Sequence, residues 1–234
     1  MRLLPITFIA ALAACEPVVT EAPAGTPAIA QDADSPRLST RAALQNFSAV
    51  VAQVEPVAEQ YCRESAPELN CDFRIVIDRR PGQPANAYQT LQGNGRPLIG
   101  FTVPLIENAR NVDEIAFVLS HEAAHHIRGH IARQQQSAAI GAAVLGELVG
   151  SLGAPYSVET AQQIGASVGA RSFSKTFELE ADALGTRIAA AAGYDPLKGA
   201  QFFFRIPDPG DKFLGTHPAN ADRLRTVQRE AAAL

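Results

Sequence analysis

Two histidines four residues apart, His121 and His125, with Glu122 directly after the first, form the pattern HExxH. On a helix such residues stand on one face, so both imidazoles can reach a single metal ion. Glu122 projects beside them, where a carboxylate can take a proton from a water held by that metal. Two histidines leave a third protein ligand to find, with the fourth position kept for water. A third histidine in the longer pattern HExxHxxGxxH is excluded, because Arg128 and Ile131 occupy its glycine and histidine positions. A glutamate on a later helix is the alternative, and the stretch Phe177 to Gly185 offers one. Glu178 and Asp182 are four apart on one helical face, while Glu180 points elsewhere. Glu178 can ligate the metal while Asp182 accepts the outer N–H of a ligand histidine and fixes its tautomer. Taken alone, the same residues would read as a solvated acidic helix face; beside HExxH they favour the site. His126 and His130 do not share the four-residue step from His121 and read as helix-surface or packing residues.

The elements that must position these groups follow from periodicity. Leu38 to about Glu64 reads as a helix, with Leu44, Phe47, Val51, Val54 and Val57 on one face and Pro56 placed to bend or split it. Phe73 to Ile77 alternates and is rich in β-branched residues, which predicts a strand. Asn86–Leu91 and Pro97–Thr102 predict two more, with Gly93, Asn94 and Gly95 as the turn between them. An apolar stripe of helical period from Val112 to Ser120 continues into the HExxH motif and predicts a helix from about Val112 to Arg133. Beyond Ala138 the pattern is helical to the C-terminus, with breaks near Pro155, Gly193 and Pro207 to Gly210. Ser137 to Ala154 is a long apolar run in which only Glu147 is charged. A membrane span there would put His121 and Glu178 on opposite sides of the bilayer. The run therefore reads as a Gly/Ala-rich helical hairpin or a lid over the cleft, within reach of lipid. The fold class is α+β, predominantly helical with a small β-sheet.

The first residues carry an address. Met1-Arg2, an apolar run from Leu3 to Leu12, and Ala13-Ala14-Cys15 make a short charged start, an h-region too short to span and a small-residue cleavage point. Leu12-Ala13-Ala14-Cys15 resembles the bacterial lipobox, in which the cysteine is lipidated after cleavage before it; the alternative is an ordinary secretory signal with an incidental Cys15. Residues 1–14 are then the signal peptide. Residues 15–37 are the lipidated cysteine and a flexible tether of Pro, Ala, Thr and acidic residues. Residues 38–234 are long enough for one domain. Cys62 and Cys71 flank a short turn and are expected to close a disulfide in an oxidising periplasm, the alternative being two buried thiols. The net charge of −4 becomes −5 when Arg2 leaves, and no basic cluster suggests a nucleic-acid partner.

Read in order, these motifs resemble the M48 zinc metallopeptidases, a family that includes heat-shock membrane proteases, CAAX-processing enzymes and bacterial periplasmic lipoproteins. The resemblance covers roughly Asn86 to Leu224. It rests on Asn86-Ala87-Tyr88 in a strand, HExxH at His121 to His125, the further His130, and Ser174-Lys175 ahead of Glu178. ExxADxxG from Glu178 to Gly185 and a late HPxxxxR from His217 to Arg223 complete it. Lys175 stands where relatives carry Arg. The resemblance implies a gluzincin-type domain with one Zn2+ per chain, ligands His121, His125 and Glu178, and Glu122 as general base and later proton donor. It implies that His217 approaches the metal or the oxyanion, with Arg223 orienting it, unless His217 is a structural loop residue. The strand from Asn86 to Leu91 offers an edge on which an extended peptide adds. The function implied is a metalloendopeptidase cutting misfolded or misassembled cell-envelope proteins, lipid-anchored in the bacterial periplasm, at the outer rather than the inner membrane. A periplasmic chaperone or assembly factor with a largely inactive metal site is the alternative.

Overall fold

A computed structural model describes residues 38–153, 157–172, 174–205 and 218–234. The lipobox cysteine Cys15 and His217 lie outside these residues. The chain is an α+β protein dominated by helix, as its patterning predicts. Helix α1 (Thr40–Ser65) starts at Ser39, whose side chain accepts from the Ala42 N–H at 3.3 Å. Ala43, Phe47, Val50, Val54, Ala58 and Cys62 recur at three- and four-residue steps, and all six are buried. Pro56 sits on the exposed face and does not divide the helix, because only that face loses a backbone donor.

Strands β1 (Arg74–Asp78), β2 (Ala87–Leu91) and β3 (Pro97–Thr102) form a sheet in the order β1-β3-β2. β3 runs parallel to β1 and antiparallel to β2. The β2–β3 hairpin closes at Gly95, whose φ of 78° is the left-handed conformation that glycine tolerates. Ile99 and Phe101 of β3 are buried, and Phe101 meets α1, its ring 5.0 Å from that of Phe47. β2 is an edge strand, paired among the described residues with β3 alone.

Short α2 (Val103–Asn108) leads to α3 (Val112–Ile127), capped by the Asn111 side chain, which accepts from the Glu114 N–H at 2.9 Å. α3 is the central helix: Ile115, Ala116, Leu119, Ala123 and Ala124 are buried within the core. The motif helix was expected to reach Arg133, but it stops at Ile127. Gly129 takes a φ of 63° and the chain sets off again in a new direction as α4 (His130–Leu152). The run from Ser137, expected to fold as a hairpin by itself, is instead the continuous second part of α4, and the hairpin is the one α4 makes with α5 (Val158–Ser172). A Cβ on Gly141 would stand 2.1 Å from the Gly165 carbonyl oxygen, so these helices touch backbone to backbone. Among the described residues no helix is long and apolar enough to cross a membrane. Helix α6 (Ser174–Ala191) returns to lie along α3. Its Gly185 is needed there, since a Cβ would meet the His121 backbone at 3.0 Å. A break at Gly193, the short α7 (Pro196–Gly199), a 3₁₀ turn (Ala200–Phe204) and α8 (Asn220–Ala231) complete the fold. Cys62 and Cys71 are joined by a disulfide that ties the end of α1 to the approach to β1.

Candidate metal centre

His121 and His125 occupy successive turns of α3 and face α6, from which Glu178 points back at them. His121 Nε2 and His125 Nε2 are 3.0 Å apart. The Glu178 oxygens stand 3.6 Å from the first and 3.4 Å from the second. Ligands of a tetrahedral zinc at bond lengths of about 2.0–2.1 Å are separated by roughly 3.3 Å, so one ion fits these three groups without rearrangement. Among the described residues this is the one cluster of three metal-ligating groups.

The first histidine is held from behind. His121 Nδ1 donates to Asp182 Oδ1 at 2.9 Å, leaving Nε2 free to face the metal position. Asp182 is fully buried, and Arg223 from α8 grips both its oxygens, Nε to Oδ2 at 2.8 Å and Nη2 to Oδ1 at 2.7 Å. The guanidinium lies 4.0 Å over the Phe203 ring and reaches to 3.7 Å from Glu178. Burial opposes the Asp182 carboxylate, but Arg223 and His121 outweigh it and hold its pKa below the usual carboxylate range. Burial also opposes charge on His121, yet hydrogen bonds to Asp182 and Glu178 prevail and raise it to about 9.

The second histidine is backed differently. His125 Nδ1 lies 2.8 Å from Nδ1 of His130, the first residue of α4. His130 Nε2 lies 3.1 Å from Glu180 Oε2, and Arg133 donates to both Glu180 oxygens at 2.6 and 3.2 Å. Burial, only partly offset by Glu180, pushes the His130 pKa down to about 4. Sequence reasoning missed this connection. Glu180 does point away from the ligand cluster, as expected, but it points at His130. His130 is a buried packing residue and not a ligand, as expected, and it also lies against His125. The signal was present in Gly129, a residue type suited to the left-handed end of a helix. His126 packs edge-on to Phe73 and lies 2.8 Å from the Asn70 carbonyl, away from the cluster. Arg223, expected to orient His217, binds Asp182 here, while His217 itself lies outside the described residues.

Glu122 is half-buried and lines a cleft of about 530 Å³ together with the three candidate ligands. Ala87 and Gln89 of the edge strand β2 form part of the same wall, and Phe177, Phe202 and Phe203 supply apolar lining. An open sheet edge, an acidic side chain and a cation site thus share one cleft.

A helical α+β domain with two histidines and a glutamate converging from two packed helices has the architecture of a metallopeptidase. The chain belongs to peptidase family M48, whose model matches residues 45–231. It is 30% identical over 135 residues to the beta-barrel assembly-enhancing protease of Yersinia pestis, covering 52% of this chain and 28% of the relative. Identity is 33% over 142 residues with a Vibrio cholerae protein provisionally given that name, covering 55% of this chain and 29% of the relative. With the beta-barrel assembly-enhancing protease of Escherichia coli K12 it is 28% over 141 residues, covering 54% and 29%. The chain thus spans less than a third of the length of the curated relatives it matches.

Proposed function

We propose that the protein is a zinc-dependent endopeptidase that hydrolyses misfolded or misassembled cell-envelope proteins. The observation that carries this reading is the His121–His125–Glu178 triangle with Glu122 at its margin. One Zn2+ per chain would be held by those three residues and would supply Lewis acidity and a more acidic water at the site. An extended polypeptide adds to the free edge of β2 through main-chain hydrogen bonds, which tolerate many side chains. Such tolerance suits a substrate recognised because it is unfolded. Glu122 takes the proton of the attacking water and returns it to the leaving nitrogen, a role worth about 10²–10⁴-fold. Asp182 and Arg223 keep His121 in one tautomer throughout. His217 is proposed to approach the reacting carbonyl.

Envelope substrates are suggested by the names of the relatives and by the export signal read in residues 1–14. Lipidation of Cys15 would hold the domain at the periplasmic face of a membrane, by preference the outer one. Residues 15–37 would serve as its tether.

The test pairs metal analysis with cleavage of an unfolded polypeptide. Wild type should bind one zinc and cleave, Glu122→Gln should bind zinc and not cleave, and Glu178→Ala should fold without stoichiometric zinc. A zinc-loaded wild type that cuts no unfolded chain and matches Glu122→Gln in envelope assembly would establish the assembly-factor role instead. For the anchor, Cys15→Ser should leave the membrane fraction; continued sedimentation with membranes would refute lipidation.

A further inference from the structure

His121 and His125 have opposite needs at their two ring nitrogens. Each must present a bare Nε2 to a cation, so each must carry its proton on Nδ1 and give it to an acceptor. For His121 the acceptor is Asp182. For His125 the atom opposite Nδ1 is another imidazole nitrogen, His130 Nδ1, at 2.8 Å. Two protonated nitrogens cannot face each other at that distance, so His130 must be bare at Nδ1 and protonated at Nε2. That second proton points at Glu180, 3.1 Å away, and Arg133 fixes the carboxylate with two further donors. Every proton in the series runs one way, from His125 to His130 and from His130 to Glu180. Neither ring has a choice of tautomer.

The packing fixes orientation as well. The His130 ring is stacked on Phe177 at 4.6 Å with an interplanar angle of 11°, and it meets His125 nearly at right angles at 4.9 Å. The helix break makes this possible. In an uninterrupted helix, residues 125 and 130 would lie about 140° apart around the axis and could not meet. The left-handed turn at Gly129 swings the chain so that His130 looks back at His125.

The geometry points to His130 as a positioning residue of the metal centre: anchored on Glu180 and Arg133, it sets the tautomer and aim of His125 through a neutral imidazole. This rests on the reading of His121, His125 and Glu178 as metal ligands, and it extends that reading to residues on α4 and α6 that touch no metal.

The experiment measures zinc affinity by competition with a chromophoric chelator, alongside the thermal midpoint of each metal-free protein. His130→Phe keeps a flat ring for the Phe177 stack but has no acceptor, and it should weaken zinc binding ~10–100-fold. His130→Asn places an amide oxygen near the position of Nδ1 and should recover most of that loss, a rescue that a purely structural role would not produce. Glu180→Leu, which leaves the His130 Nε2–H without an acceptor, should weaken zinc by ~10-fold and serves as the deciding variant if His130→Phe does not fold. Wild-type affinity in folded His130→Phe, an Asn variant no better than the Phe one, or wild-type affinity in Glu180→Leu would each overturn the proposal. Absence of zinc binding by the wild type would defeat the ligand reading and this one with it. Tight wild-type binding with unaffected variants would defeat the relay alone.

Discussion

The two imidazoles that converge on the metal position are supported by two arms of different build. Behind His121 stands a buried ion pair: Asp182 is fully enclosed and the Arg223 side chain is only 8% exposed. Behind His125 stand a neutral ring and then a pair near the surface, with Glu180 at 33% and Arg133 at 43% exposure. A carboxylate raises the basicity of the histidine it holds more than a neutral imidazole does. The first arm therefore donates more electron density to a cation and the second mainly aims its ligand. The arms also fail differently, because a buried charge cannot be relieved by water whereas an exposed one can.

The largest effect should come from breaking the buried arm. Asp182→Ala takes from the enclosed Arg223 guanidinium the carboxylate that binds two of its nitrogens, leaving Glu178 at 3.7 Å, and loss of one member of a buried pair costs about 3–5 kcal/mol. Chemical denaturation of the metal-free protein should show that loss, and metal analysis should show a centre that no longer fills. Arg223→Leu should be nearly as damaging, since it removes the cation from the buried Asp182 carboxylate and leaves it the His121 N–H. Equal stability of wild type and Asp182→Ala would show that the pair is solvated and that the contrast between the arms is false.

A middle-sized effect should follow from separating the helices that carry the arms. Gly185 lets α6 approach α3 until a Cβ would stand 3.0 Å from His121 Cα. The nearest atoms, of His121 and Ser120, are backbone, which cannot turn aside. Gly185→Val should cost about 1–3 kcal/mol by overpacking and should weaken zinc by moving Glu178 and Asp182 together. Retention of full zinc affinity would mean that the two helices are not rigidly coupled at the site.

These contrasts also show what could be read from residue order. HExxH and the Glu178–Asp182 step were legible because each is a local spacing on one helix, and helical geometry converts spacing into facing. Pro97–Thr102 was legible because a turn rich in glycine preceded it. The grip of Arg223 on Asp182 spans 41 positions, and nothing local in either segment declares it. The role of His130 was hidden by a wrong helix end. With α3 drawn through to Arg133, His130 faces away from His125, and only the single left-handed residue Gly129 reverses that conclusion. Residue types announced the metal ligands, whereas their supports depended on tertiary approach.

The smallest effect should come from the outer end of the exposed arm, and it separates the arms most cleanly. Arg133 touches neither histidine. Its pair with Glu180 is open to solvent, and exposed pairs contribute about 0–1 kcal/mol. Arg133→Leu should therefore leave stability almost unchanged and reduce zinc affinity less than His130→Phe or Glu180→Leu, because Glu180 still accepts from His130. Effects along this arm should decline with distance from the metal, whereas along the buried arm Arg223→Leu should hurt almost as much as Asp182→Ala. Salt offers a second measure of the same contrast. At about 1 M ionic strength the screening length falls to roughly 3 Å, which weakens exposed pairs far more than enclosed ones. Raising salt should thus reduce the difference between wild type and Arg133→Leu in chelator competition while leaving the deficit of Arg223→Leu in place. A deficit in Arg133→Leu that persists at high salt would mean that Arg133 acts through its packing over the Phe177 ring, 4.3 Å away, and not through its charge on Glu180.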